Sequence, residues 1–314
     1  MVLALDFGGT KHAAAVAVRG ERQWRGQRRV PAPRGAEAAA DRAVMFALAR
    51  ELLAGQRPAA VGVSFGGPVD FTTGTVRLSH HVRGWENAPL QAMLEAEFGA
   101  PARVDNDANV AALGEHRFGA GQGCDSLLYM TVSTGVGGGW ILNGQPWRGH
   151  DGMAGEIGHM VVDPAGPVCL CGKRGCVERL ASGPYLARDA RERLEREPGS
   201  GAALRALAGN DLAQIDARLI ARAAAQGDEF SQGVLAAAGH ALGVGIGNAA
   251  NLVNPTRFIL GGGVTQAGDL WWQAVRAAAR ATALPEVQFD ILPAGRGDDA
   301  PLWGAVALAE DSLG

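Results

Sequence analysis

The chain has only four cysteines in 314 residues, no surplus of positive charge and no long apolar run. Each absence excludes a class of protein. A net charge of −3 gives no reason to expect a nucleic acid or an anionic membrane as partner. No stretch reaches the ~18 consecutive apolar residues of a membrane-spanning helix. Met1-Val2-Leu3 enters a strand directly, without the basic and apolar regions of a secretory signal. Disorder is excluded as well, since 47% hydrophobic and 19% charged residues are ordinary for a soluble globular protein. The length suits two domains of about 150 residues each. Glycine, by contrast, is plentiful, and its 46 copies call for many tight turns or close backbone approaches to a ligand.

Three of the four cysteines fall within eight positions, in the run His159-x9-Cys169-x-Cys171-x4-Cys176. Three thiolates and one imidazole are the ligand set of a closed, tetrahedral structural zinc site. Gly172 and Gly175 supply the backbone freedom that a short metal-wrapping loop needs. A disulfide is the weaker alternative, because the three cysteines cluster and Cys124 has no obvious partner. Metal-bound and unpaired cysteines both suit a reducing, cytoplasmic setting. Glu156 lies three residues before His159, and Glu178 lies two after Cys176. A metal tying both segments together also fixes these carboxylates relative to each other. Such a platform suits a ligand with several hydroxyls, of which a sugar is the obvious one.

The pattern along the chain alternates strands and helices, which predicts an α/β fold. Strands are expected near 2–7, 12–18, 59–65, 103–105, 126–132, 140–142, 257–260 and 287–292. Helices are expected near 36–54, 89–98, 109–118, 184–196, 211–225, 231–253, 268–283 and 301–311. Residues 70–76 read as a hairpin turn. A strand, glycine-rich turn and strand occurs twice, near 2–18 and near 126–142. The domain boundary is placed in the polar, glycine-rich stretch after Phe118, giving domains 1–118 and 119–299. The last helix, within 300–314, is expected to return to the first.

Asp6-Phe7-Gly8-Gly9-Thr10-Lys11 and Ser133-Thr134-Gly135-Val136-Gly137-Gly138-Gly139 share a physical logic. Their glycines let backbone N–H groups approach phosphate oxygens, and the threonine hydroxyl adds a donor. Neither has Walker spacing. Gly243, Gly245 and Gly247 fall inside a helical pattern, where close helix packing explains them better than a nucleotide does. Asp105-Asn106-Asp107-Ala108-Asn109 puts four polar residues at a strand–helix junction, where burial is costly. Helix capping explains one of them. An aspartate there could accept a proton from a hydroxyl attacking phosphate.

Taken together, Asp6-x-Gly8-Gly9-Thr10-Lys11, Asn106-Asp107-Ala108-Asn109, Thr134 to Gly139, Gly155-Glu156-x-Gly158-His159 and Cys169-x-Cys171-Gly172-x2-Gly175-Cys176-x-Glu178 resemble the ROK family of sugar kinases and repressors. Asn254-Pro255 and Gly261-Gly262-Gly263 match it as well, so the resemblance spans nearly the whole chain in order. It implies two actin-like (ribonuclease-H-like) ATPase domains with sugar and nucleotide in a cleft between them. Asp107 is then the general base on the sugar 6-hydroxyl. Asn106, Glu156, His159 and Glu178 hold other hydroxyls, with Gly67 near the sugar through its backbone. His159 uses one ring nitrogen for zinc and the other for sugar. Asp6 approaches the magnesium shell, and Gly8, Gly9, Thr10, Lys11, Thr134, Gly135, Gly137 and Gly138 line the phosphates of ATP. Gly262 and Gly263 lie beside the nucleoside. ATP, Mg2+ and structural Zn2+ are the implied cofactors, a hexose the partner, and a homodimer or homotetramer the assembly.

The pattern is departed from in three places. Phe65-Gly66 stands where relatives often have Pro-Gly, and Ser133 replaces a common glycine. His80-His81-Val82-Arg83-Gly84 precedes Trp85, where many relatives carry a sugar-holding asparagine. Repressors of the family resemble the kinase with a winged helix ahead of it. The first strand beginning at Val2 and the acidic balance favour the kinase. Cys169-Leu170-Cys171 resembles the glucose and N-acetylmannosamine branch rather than the fructose branch with its Cys-Pro-x-His loop. Glucose phosphorylation is expected, with N-acetylmannosamine the alternative.

Overall fold

A computed structural model describes every residue except Arg34, Ala36, His80 and His81. The chain opens with strands β1 Val2–Phe7, β2 Lys11–Ala17 and β3 Trp24–Pro31, then helix α1 Ala38–Leu53. Strands β4 Ala60–Phe65, β5 Val69–Asp70 and β6 Thr75–Val76 lead to α2 Leu90–Phe98, β7 Ala102–Asn106 and α3 Asp107–Phe118. A second set begins with β8 Leu127–Val132, β9 Val136–Leu142 and β10 Gln145–Trp147. Helices α4 Val177–Ala181, α5 Gly183–Arg196, α6 Ala202–Leu207, α7 Ala217–Ala225 and α8 Glu229–Val253 follow. The chain closes with β11 Arg257–Gly261, α9 Asp269–Thr282, β12 Asp290–Pro293 and α10 Ala300–Asp311.

The two large sheets repeat one plan. Their strand orders are β3-β2-β1-β4-β7 and β10-β9-β8-β11-β12, so each places its first strand in the middle. In the first, β1 and β2 are antiparallel while β1, β4 and β7 run parallel. Contacts group Met1–Tyr129, Gly139–Gly155 and Ala294–Gly314 into one unit, and Met130–Gly138 with Glu156–Pro293 into another. The partition passes through β8 and β9.

In the first unit β1 is buried on both faces, as the central strand of a sheet covered on both sides is. Leu3, Leu5 and Phe7 join a core with Met45, Phe46 and Leu94 from α1 and α2. Val2 and Ala4 join the opposite core, with Val110 and Leu113 of α3 and Leu302 and Trp303 of α10. In the second unit α8 packs along α9. A Cβ at Gly243 would lie 2.4 Å from the Val275 carbonyl oxygen, and one at Gly247 2.5 Å from Thr282. Helix packing therefore accounts for that glycine run. Among the described residues α8 alone is long and apolar enough to cross a membrane, and 67% of that window is buried within the protein.

Several sequence expectations need correction. Residues 137–139 belong to β9 and not to the turn, which is confined to 133–135. Gly139 is glycine because a Cβ there would lie 2.3 Å from the Ala108 carbonyl oxygen, so it serves packing rather than turning. Strand β3 has no counterpart in the sequence reading. It is an edge strand rich in exposed arginine, without the apolar alternation that signals a strand. The expected helix over 211–225 is a short 3-10 turn and then α7, separated where Asp216 accepts the Leu219 N–H at 2.8 Å and caps the new helix.

Candidate active site

In the first unit the hairpin turn after β1 and the start of α3 converge. Asp6, at the end of β1, is buried and accepts the Ser64 hydroxyl at 2.8 Å. Ser64 reaches it because β1 and β4 run parallel with Asp6 opposite Ser64. Burial pushes the Asp6 carboxyl above its usual range, and the Ser64 bond and the Lys11 charge pull against that. Gly9 and Thr10 are exposed, and Lys11 is held by Asp298 at 2.6 Å. A Cβ placed on Gly66 would lie 3.8 Å from both the Asp107 Oδ2 and the Gly9 nitrogen, with Gly8 next in the same turn. The carboxylate of Asp107 and the first glycine turn therefore both border Gly66.

Asn106 caps α3, accepting the N–H groups of Ala108 at 3.0 Å and Asn109 at 3.4 Å. Its amide nitrogen donates to the Gly67 carbonyl at 3.2 Å, which takes one of its two hydrogens. The polar cluster at this junction divides by task. Asp105 is buried against Arg148 and also accepts from Asn109 at 3.3 Å, so both Asp105 and Asn109 serve the protein's own framework. Asp107 opens the helix, half-buried, with one oxygen accepting the Ala108 N–H at 2.8 Å. Nearby, Trp85 is fully buried and donates to Asp41 at 2.9 Å, with Phe65 and Phe7 against its ring. The departure at His80 and His81 lies outside the described residues.

In the second unit the other turn is gripped by the metal segment. The Ser133 N–H donates to Gly135 O, and the Gly183 N–H donates to Ser133 O, both at 2.9 Å. Glu178 accepts the Val136 N–H at 3.0 Å through Oε2. A Cβ on Gly135 would lie 2.7 Å from that same oxygen, and one on Gly158 would lie 1.9 Å from the Val136 carbonyl oxygen. Only glycine fits at Gly158, and a side chain at Gly135 would have to displace the Glu178 carboxylate. Thr134 is exposed at the tip, and Gly137 and Gly138 continue on β9. Gly262, with φ +89°, ends β11 against Val132, and Gly263 follows it with open space around its Cα.

His159, Cys169, Cys171 and Cys176 place their ligand atoms within 4.8 Å of one another. The cysteines are free thiols, with Cys171 Sγ and Cys176 Sγ 3.6 Å apart. Burial and the neighbouring sulfurs push the Cys176 thiol up to about 12. Such a crowded set of soft donors fits a thiophilic cation such as zinc. The His159 ring turns Nδ1 toward Cys169 Sγ and Nε2 toward Glu156 Oε2, each at 4.0 Å. Glu156 itself is exposed.

Contacts not legible beforehand include Ser64 on Asp6, Asp298 on Lys11, Arg148 on Asp105 and Glu178 on Val136. Each joins residues far apart in sequence, and no spacing rule flags them.

A sequence profile described as ROK family matches residues 2–312. The chain is 34% identical over 314 residues to a glucokinase of Streptomyces coelicolor, covering 99% of this chain and 98% of that one. It is also 34% identical to an N-acetylmannosamine kinase of Shigella boydii, covering 98% of each. Among solved structures it is similar to a ROK family glucokinase from Streptomyces griseus in complex with glucose and AMPPNP. The TM-score is 0.85 and the identity 35%, with 99% of both chains covered.

Proposed function

Since this chain belongs to the ROK family, we propose that it is an ATP-dependent hexose kinase that phosphorylates glucose on its 6-hydroxyl, with Asp107 as general base. Its α/β fold is the two-domain, actin-like ATPase fold of ROK sugar kinases. The observation that carries the reading is that Asp107 Oδ2 and the Gly9 nitrogen both border Gly66. A proton acceptor and a phosphate-binding turn share one place in the first unit.

The reaction moves one phosphoryl group. The 6-hydroxyl oxygen bonds to the γ-phosphorus as the bond to the β,γ-bridging oxygen breaks, and ADP leaves. The hydroxyl proton passes to Asp107. Gly8, Gly9, Thr10 and Lys11 offer donors to the phosphates at the first turn, Thr134 and Gly135 offer them at the second, and Gly137 and Gly138 offer them from the start of β9. Magnesium, arriving with ATP, supplies charge neutralisation on the phosphate oxygens, and Asp6 is the carboxylate that would face its shell. Gly262 and Gly263 leave backbone room beside the nucleoside.

Asn106, Glu156, His159 and Glu178 orient the sugar, with the Gly67 backbone beside them. His159, Cys169, Cys171 and Cys176 would hold a structural zinc through four protein donors, and that ion would supply rigidity rather than chemistry. Glu178 keeps Oε1 for a hydroxyl while Oε2 holds Val136. His159 presents Nε2 on the side away from the cysteines.

The test is kcat/KM with ATP for glucose, mannose, glucosamine and N-acetylmannosamine under one set of conditions. Glucose is expected to give the highest value, mannose and glucosamine lower ones and N-acetylmannosamine the poorest. A ratio favouring N-acetylmannosamine would overturn the glucose assignment and leave the kinase reading standing. No ATP-dependent turnover of any hexose would overturn both.

A further inference from the structure

Asp105 is only 2% exposed, yet it is a carboxylate one residue away from the strand–helix turn that carries Asn106 and Asp107. Its two oxygens have separate partners. Oδ2 receives Arg148 Nε at 2.7 Å and lies 2.7 Å from Arg148 Nη2. Oδ1 accepts the backbone N–H of Asn106 at 2.8 Å and the side-chain amide of Asn109 at 3.3 Å. The guanidinium carbon of Arg148 sits 3.4 Å from the centre of the Phe71 ring, which fixes its plane. Arg148 also donates to the Pro146 carbonyl at 3.3 Å, and its own carbonyl accepts the Ala154 N–H at 3.0 Å.

A buried ion pair adds little net stability over apolar residues of the same volume, so stability does not account for this one. Geometry does. The cation occupies Oδ2 and leaves Oδ1 aimed at Asn106. Burial pushes the Asp105 carboxyl above its ordinary range, and the Arg148 charge is the largest influence opposing it. Without that cation the carboxylate would be an uncompensated buried charge. Taking up a proton or turning away would relieve it, and either loosens its grip on the Asn106 N–H.

We propose that Arg148, acting through Asp105, is a positioning residue that sets the orientation of the turn presenting Asn106 and Asp107. The inference rests on the kinase reading of Asp107. Neither residue touches the reacting atoms. Both act on the angle at which the base and the sugar-holding amide are offered. The loop that Arg148 begins closes on Ala154 and runs two residues further into Glu156, so the same anchor lies at the root of a second sugar contact.

The experiment compares Arg148→Met and Arg148→Lys with the parent in the zinc-loaded protein. It measures kcat, KM for ATP and hexose, calorimetric hexose affinity without ATP, and melting temperature. Arg148→Met is expected to lower kcat about 10–100-fold, the cost of misplacing a reacting group by about an ångström. Hexose affinity should fall severalfold, with KM for ATP within about twofold of the parent. Arg148→Lys keeps a cation and one donor but loses the second contact and the ring stacking, so it should recover only part of the loss and stay severalfold below the parent.

The proposal is overturned if Arg148→Met keeps kcat within about twofold, or if Arg148→Lys is as impaired as Arg148→Met. It is overturned too if KM for ATP rises in step with the fall in kcat. Should Arg148→Met not fold, Arg148→Lys decides alone. A severalfold lower kcat at parental melting temperature and parental KM for ATP supports the proposal, and parental kcat defeats it. A parent that phosphorylates no hexose defeats the kinase reading instead. The calorimetric affinity of the variants then still reports whether the turn has been disturbed.

Discussion

Residues 8–10 and 133–135 each turn a hairpin between two central strands of a sheet, yet they are anchored by different means. The first relies on side chains of its own unit. Asp6 beneath it is buried on Ser64, while Lys11 beside it is tied to Asp298, a residue largely open to solvent. The second is clasped by the segment that carries the metal donors. Glu178 holds the Val136 N–H, Gly158 packs on the Val136 carbonyl, and Gly183 donates to Ser133. Cys176 is two residues from Glu178, and Gly158 adjoins His159. Surface charge and one buried carboxylate therefore hold the first turn, and the segment that carries the candidate metal donors holds the second. One hairpin plan has acquired two kinds of rigidity.

The largest effect should come from Asp107, the proposed base beside the first turn. Asp107→Asn keeps the shape but cannot take the proton, so kcat should fall by roughly 10²–10⁴-fold. Hexose affinity should change far less, as read by calorimetry. Turnover within a few-fold of the parent would move the base to another carboxylate and remove the chemical distinction between the two halves.

A moderate effect, on stability, should single out the first turn. The folded-state pKa of Asp6 is raised, mainly by burial, so folding favours its protonated form. The burial penalty is absent below the ordinary carboxylate range and grows as pH rises through the raised value. Asp6→Asn removes that titration. Its melting temperature should therefore exceed the parent's at neutral pH, with the gap closing on acidification toward pH ~4, the ordinary carboxylate range. Activity should fall with the lost carboxylate. Parallel melting curves from pH ~4 to pH ~8 would show that Asp6 carries no such strain.

The smallest effect should be at Asp298. Exposed ion pairs are worth about 0–1 kcal/mol and are screened by salt. Asp298→Asn releases Lys11, so KM for ATP should shift no more than severalfold, and the difference should shrink in added salt. A salt-independent change would mean that Asp298 does something other than hold Lys11.

The sequence made the donors legible because a metal demands particular atoms at short spacing, and His159, Cys169, Cys171 and Cys176 are close in the chain. The two glycine turns were legible for a similar local reason, since a chain reversal leaves its mark within a few residues. The second duty of Glu178 was not, because its bond to Val136 spans 42 residues and exists only once the unit folds. Arg148 on Asp105, 43 residues apart, was hidden for the same reason. Local composition misled in two places. Glycines 137–139 looked like a turn but serve a strand whose backbone lies close to a helix. Strand β3 went unassigned because an edge strand has no need of apolar alternation.

A metal held by the four donors would act on the second glycine turn through Glu178, and metal removal reads this directly. The purified protein should contain one zinc per chain by elemental analysis. After chelation, or in Cys171→Ser, KM for ATP and KM for hexose should rise together, by about 10-fold or more. Both are expected from one cause, since Glu178 holds the turn through Oε2 and its other oxygen is the one proposed to meet the sugar. A metal-free protein that keeps both KM values within about twofold of the loaded form would contradict the account.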